Sequence, residues 1–201
     1  MQKKTSIRFL IFLLLEIGLF SSSFADISIK TNPNNQLKTW IVSEGNLKLK
    51  IAQILPDNNR AFFIARGFPK AISDKLATSC LMQTIVKNTA TDKNAKAITI
   101  KLKDWQIKPL DKSDEKLQGL KLKETWNAEW SKDDISPAAR IAFRWATFPS
   151  EQTFEPAGDY NWGINSFSLP PKSQFNLNII WHEGSEQKNI WIHNIQCAED
   201  K

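Results

Sequence analysis

Apolar and polar residues alternate one by one along three segments of the chain. These are residues 47–51, 98–102 and 175–181. Successive side chains of a strand point to opposite faces of its sheet, so a strand with one buried face has this period of two. We therefore predict a protein built mainly from antiparallel β-strands.

The last part of the chain predicts a β-hairpin, with strands over residues 175–181 and 191–197 and a turn at residues 182–185. Pairing Trp181 with Trp191 turns one set of residues of the last strand toward the core. This set is Trp191, His193, Ile195 and Cys197. The register therefore predicts a core histidine and an inward-facing cysteine.

Helical periodicity is weak. One short helix is predicted near Ser73, a suitable cap, because Ile72 and Leu76 share a face. Residues 138–145 are ambiguous: the Ser-Pro pair before them favours the start of a helix, whereas alternating branched and aromatic residues favour a strand. We assign them to a strand. The predicted fold class is all-β and mainly antiparallel, an immunoglobulin-like β-sandwich with at most one or two short helices.

The first 25 residues have the parts of a secretory signal. Basic residues precede an apolar run over residues 9–15, and Ser23-Phe24-Ala25 is a small-x-small cleavage site. Cleavage after Ala25 would leave residues 26–201 as one domain, periplasmic or secreted, without an integral membrane span. The alternative is an uncleaved anchor, but a spanning helix needs about 20 mostly apolar residues, and Glu16 interrupts this run.

The chain contains two cysteines, Cys80 and Cys197. An even cysteine count in an exported chain predicts a disulfide, here one that ties the end of the chain to its middle. A redox pair is disfavoured because the two residues lie far apart in the sequence.

The charge of the chain is mildly basic. Residues 1–25 hold three of the 27 basic and one of the 21 acidic residues, so removing them lowers the net charge from +6 to +4. The excess lies in residues 96–123, where Lys101 and Lys103 are expected to face solvent. These lysines form either a docking face for an anionic partner or, as we favour, a solvated strand whose charges discourage edge pairing. We expect no binding to nucleic acid, because no basic-aromatic motif is present.

No catalytic or metal-binding pattern stands out. The predicted hairpin separates His182 from His193, so we expect no metal site and no cofactor. A G-x-S-x-G nucleophile motif is missing. The carboxylates of Glu151, Glu155 and Asp159 are close in sequence, and paired carboxylates can hydrolyse glycosides, but an ordinary solvated loop is favoured.

The segment over residues 156–163 is the best candidate for a binding site. It combines turn-forming residues with the single tyrosine of the chain and a tryptophan. The candidate ligand- or partner-binding residues are Asp159, Tyr160, Asn161 and Trp162. The aromatics would stack on a sugar or fill a partner's pocket, and the polar pair would donate and accept hydrogen bonds. The alternative, which is the more frequent outcome, is that Trp162 folds back over the core.

Three functions are compatible with these patterns. The leading hypothesis is an exported non-catalytic envelope protein, an accessory or assembly factor that binds another exported protein. A carbohydrate-binding module is the first alternative. A hydrolase acting on envelope polysaccharide is the second, and it requires two carboxylates that face each other across a cleft.

Overall fold

The computed structural model describes residues 26–110, 116–131 and 134–200, so the predicted export signal over residues 1–25 lies outside the described part. Strands and helices follow one another along this part of the chain. They are β1 (Asp26–Thr31), β2 (Lys38–Glu44), β3 (Leu47–Gln53), α1 (Pro56–Ile64), α2 (Lys70–Ala77), β4 (Leu81–Asn88), β5 (Ile98–Lys101), β6 (Gln106–Pro109), α3 (Lys123–Glu129), α4 (Pro137–Ala146), β7 (Glu151–Phe154), β8 (Tyr160–Ser166), β9 (Gln174–Glu183) and β10 (Glu186–Gln196).

The strands form two antiparallel sheets, which confirms the prediction of a mainly antiparallel β protein. The first sheet has the order β1-β2-β3-β4-β8, with β1 and β8 at its edges. The second has the order β10-β9-β5-β7, and β6 also pairs with β9. Each strand of the first sheet thus lies beside the next, except that β8 joins β4 from much later in the chain.

One apolar cluster is shared by the two sheets. Alternation in β3 produces it, because Leu47, Leu49 and Ile51 are buried while Lys48 is exposed. Among the other members are Trp40, Val42, Met82, Val86, Ile100, Trp105, Phe154, Leu177, Ile179 and Trp181. Burying side chains of this size is the main stabilising contribution to such a fold.

The disulfide prediction is confirmed. Cys80 and Cys197 are joined with an S–S distance of 2.03 Å and a Cα–Cα distance of 5.3 Å, across 117 positions of sequence. Both cysteines are buried members of the shared cluster. The bond therefore fixes the segment after β10 to the residue that precedes β4.

The prediction of at most one or two short helices is wrong, because the described part of the chain contains four α-helices. Residues 138–145, assigned to a strand, lie in α4. The Ser136 hydroxyl accepts a hydrogen bond from the Ala139 N–H at 3.2 Å, and Pro137 occupies the first turn. The side chains that α4 buries follow helical spacing. They are Ala139, Phe143 and Ala146.

A second apolar cluster forms between the helices and one end of the first sheet. Leu81 and Ile164 lie on the face of that sheet opposite to the shared core, as the alternation of β4 and β8 requires. The helices and the loops beside them contribute the other members of the cluster, which are Phe63, Phe68, Leu76, Trp126, Trp130, Ile135, Ala139 and Phe143. The helices therefore cover this end of the outer face, and the remaining end of β8 stays open.

The predicted hairpin exists, but its register differs. Glu183 pairs with Glu186, which leaves Gly184 and Ser185 as a two-residue turn, and Trp181 pairs with Lys188 instead of Trp191. Gly184 has a φ of +63°, the backbone conformation that tight hairpin turns require. The shorter turn moves the partner of Trp181 by three residues.

The changed register also overturns the prediction that His193 is a core residue. His193 is exposed, and Ile192 takes the buried position instead. A bulge between Ile192 and Ile195 then restores the inward direction of Ile195 and Cys197. Within the described residues, no helix has the length and apolar character needed to cross a membrane.

Candidate functional site

Asp159 and Asn161 fix the position of β8. The Asp159 carboxylate accepts the Glu155 N–H at 3.1 Å, which closes the turn before the strand. The Asn161 side-chain nitrogen donates to the Gln152 side-chain oxygen at 2.6 Å. Of the four candidate residues, these two therefore serve the fold through their side-chain hydrogen bonds.

Tyr160 and Trp162 have the opposite orientation, because they alternate with the polar pair along the strand. The two residues are 62% and 55% exposed. Trp162 therefore does not fold back over the core, and the structural alternative for this residue is wrong. Both aromatics stand on the outer face of the first sheet, where Tyr160 pairs with Lys87 and Trp162 with Ile85.

Trp145 is the third exposed aromatic, and it is not among the binding residues predicted from the sequence. It lies near the end of α4 and is 76% exposed. Trp145 and Trp162 line one groove of about 430 Å³, together with Arg144 and Lys123. The signal was present in the sequence: on a helix that begins at Ser136, position 145 falls on the face opposite to buried Phe143.

Gly163 brings the two tryptophans together. A Cβ atom at position 163 would lie 2.3 Å from the Phe148 backbone nitrogen, so only glycine admits this approach. The Phe148 N–H donates to the Ile164 carbonyl at 3.1 Å. The segment that leaves α4 is therefore held against β8, and Trp145 stays beside Trp162.

Within the described residues, every aromatic side chain that is more than half exposed belongs to this region. We call Trp145, Tyr160 and Trp162 the aromatic surface. The remaining tryptophans are buried or half-buried. An exposed cluster of large apolar side chains is typical of an interaction site, whereas single exposed residues are not.

Lysines without ion pairs adjoin the aromatic surface. Lys48 lies directly opposite Lys87, and Lys87 directly opposite Tyr160, in one row across three strands. Lys50 lies two positions from Lys48 on the same face. None of these lysines forms an ion pair within the described part of the chain. Like charges directly opposite each other destabilise a sheet, so this arrangement is costly to the isolated protein.

The lysine-rich segment over residues 96–123 differs from this row. Lys101 lies 3.1 Å from the Glu151 carboxylate, and Lys96 lies 3.7 Å from Glu186. Carboxylates of the fold thus compensate both lysines. This supports the interpretation of the strand around Lys101 as a solvated part of the fold, whereas Lys123, at the end of the segment, lines the groove with the two tryptophans.

The most shielded ionic cluster joins the two sheets. The Lys188 ammonium lies 2.5 Å from the Glu183 carboxylate, and this hydrogen bond raises the pKa of Lys188. Asn46 donates to the other Glu183 oxygen at 3.3 Å. Burial raises the pKa of nearby Glu44. The positive charge of Lys188 lowers this pKa, and the negative charge of Glu183 raises it. Because both Glu183 oxygens have partners within the fold, we assign this cluster a structural role.

The chemistry of the remaining candidates is limited. The Glu151 carboxylate pairs with Lys101, and that of Asp159 closes a turn. Among the residues that the structure describes, no group of three His, Cys, Asp or Glu side chains is arranged to hold a metal ion. Comparison of the chain with protein-family models, curated proteins and solved structures gives no match.

Proposed function

We propose that this chain is an exported, non-catalytic protein of the periplasm or extracellular space that binds another exported protein through its aromatic surface. It would act as an accessory or assembly factor of the cell envelope. The observation that carries this proposal is the convergence of Trp145, Tyr160 and Trp162, the three most exposed aromatics of the described chain, on one region. Tyrosine, tryptophan and arginine are enriched in protein interfaces and dominate their energetics.

The surrounding charges support a partner with acidic side chains. Lys48 and Lys87 oppose each other without a compensating carboxylate. Arg144 and Lys123 add positive charge at the groove between the tryptophans. A partner that places carboxylates near these groups would offset their mutual repulsion, increase the association rate and favour one orientation.

The fold and the disulfide support the finer parts of the proposal. Two antiparallel sheets around a shared core are compatible with a β-sandwich, and such frameworks present binding residues at their edges and ends. The Cys80–Cys197 bond is the kind that persists in oxidising compartments outside the cytoplasm.

A carbohydrate ligand is the second candidate. Tyr160 and Trp162 stand side by side on the open face of a sheet, and the groove beside Trp162 carries the polar side chains of Lys123 and Arg144. Aromatic faces with a few directed polar groups suit a sugar chain. A glycan array probed with the purified protein distinguishes this candidate from a protein partner.

The test compares three proteins: the wild type, Trp145→Ala/Trp162→Ala, and the control Leu110→Ala, which alters an exposed apolar residue outside the aromatic surface. Each is tagged and recovered from the native exported fraction, and co-purifying proteins are quantified by mass spectrometry. We expect a partner that the wild type and the control retain and that the double variant loses. Identical recovery with all three proteins would refute the proposal.

A further inference from the structure

Strand β1 is an exposed edge of the first sheet. It pairs only with β2 among the described elements, and each of its six residues is exposed. Ile27 and Ile29 are 37% and 55% exposed, on the face of β1 that continues the core-facing side of β2. A free edge with apolar side chains favours pairing with a further strand.

The direction of the backbone groups follows from the neighbouring hydrogen bonds. The Lys38 N–H points toward β3, where it donates to the Gln53 side-chain oxygen at 2.7 Å. Lys38 is the register partner of Thr31, so the N–H and C=O groups of Thr31 point away from β2. By alternation, the same holds for Ile29 and Ile27, whose backbone groups are directed to the free edge.

We propose that β1 pairs antiparallel with β1 of a second copy of this chain, about a two-fold axis at Ser28. Ile27 then lies opposite Ile29 of the partner subunit, and each of these pairs exchanges two backbone hydrogen bonds. Asp26 lies opposite Lys30 of the partner subunit. The same strand therefore supplies both halves of a self-complementary interface, as two-fold symmetry requires.

Charge and apolar matching select this register. Neither Asp26 nor Lys30 has an ion pair within the described part of its own chain. A shift by two residues that centres the pairing on Ile29 would place Asp26 opposite Asn32 of the partner subunit and lose both ion pairs. A shift by one residue would turn the two isoleucines of one subunit to the opposite face of the sheet from those of the other subunit. Only the register centred on Ser28 satisfies both sets of contacts.

The inference is independent of the proposed function. β1 and β8 lie at opposite edges of the first sheet, with three strands between them. Pairing through β1 would leave Tyr160 and Trp162 accessible and would give a dimer with two aromatic surfaces. A partner with two binding sites would then be held more tightly by the dimer than by a monomer.

Charge reversal tests the register. We would follow sedimentation of the purified protein up to about 1 mM, a range that reveals weak association. Asp26→Lys and Lys30→Asp should each weaken dimerisation by about tenfold or more, because each creates like-charge pairs at both ends of the interface. The combined exchange Asp26→Lys/Lys30→Asp should restore dimerisation. A mixture of the two single variants should form heterodimers, because their altered charges are complementary.

A backbone variant provides a second measurement. Ile29→Pro removes an N–H that points to the free edge, so it should abolish dimerisation while the β1–β2 pairing remains. Circular dichroism confirms that each variant is folded. A wild type that stays monomeric over the whole range would overturn the proposal. So would a dimer that withstands both single reversals, or one that the double exchange fails to restore.

Discussion

Gly163 and Phe148 lie so close together that a Cβ atom at position 163 would stand 2.3 Å from the Phe148 nitrogen. Replacing Gly163 by alanine must therefore displace the backbone that follows α4. We expect Gly163→Ala to lower the free energy of unfolding by about 3 kcal/mol, at the upper end of the cost of overpacking. Chemical denaturation of the purified variant measures this loss.

Gly119→Ala is the matched control for this variant. No atom lies within 4 Å of the Cβ position at Gly119, so the control should change the free energy of unfolding by less than about 0.5 kcal/mol. Equal stability of the two variants would show that β8 and the segment after α4 are not packed as described.

The prediction from sequence succeeded where burial determines the pattern. β3 and β9 alternate because one face of each strand lies in the shared core, and the inward direction of Cys197 follows from the same core. The register of the hairpin could not be obtained in this way, because the turn determines it. Residues 182–185 all favour a turn, and only the structure shows that Gly184 and Ser185 alone form it.

The sequence pattern failed to predict helix α4 for a different reason. Ile141 and Trp145 are apolar but exposed, and together with buried Phe143 they imitate the alternation of a strand. Alternation-based prediction assumes that apolar side chains are buried. Trp145, which breaks this assumption, lies in the candidate site. Local disagreement between pattern and structure is expected where side chains are kept exposed for binding.

The disulfide should make a large contribution to stability. Its removal by Cys80→Ser/Cys197→Ser releases a closure across 117 positions, and we expect the free energy of unfolding to fall by about 2–5 kcal/mol. Urea denaturation measures the loss, and the wild type with excess reductant should behave like the variant. An unchanged denaturation midpoint would mean that the bond contributes nothing measurable.

Acid should weaken the contact between α3 and its neighbours. Lys121 and Lys75 donate hydrogen bonds to the Glu129 carboxylate, which hold its pKa below the ordinary value of 4.5. The folded state thus binds this proton less readily than the unfolded state. The stabilisation of the fold by these two hydrogen bonds is complete above the ordinary pKa of Glu129. It is lost as the pH falls through the lowered pKa of the folded state.

Glu129→Gln should therefore reduce stability near pH 7 by about 0.2–1 kcal/mol, a small effect because the Glu129 carboxylate is partly exposed to solvent. The difference from the wild type should vanish in strong acid, where both side chains are neutral. Thermal unfolding across this pH range measures it. Glu155→Gln is the control, because this exposed carboxylate forms no ion pair within the described part of the chain. A pH-independent difference would assign the effect of Glu129→Gln to packing.

The aromatic surface makes opposite predictions for folding and for binding. Tyr160 and Trp162 are more than half exposed, so their joint replacement by alanine should change the free energy of unfolding by only about 0.5 kcal/mol. Trp181→Ala, at a buried tryptophan of the shared core, should cost about 3–5 kcal/mol.

Binding to the partner should show the reverse order. The double variant should lose at least about 2 kcal/mol of binding free energy, the scale of interface anchors, in calorimetric titration with the identified partner. If the double variant unfolds as readily as Trp181→Ala, these side chains stabilise the fold and the binding surface must be sought elsewhere. If it is stable and binds as tightly as the wild type, the aromatic surface is not the site of binding.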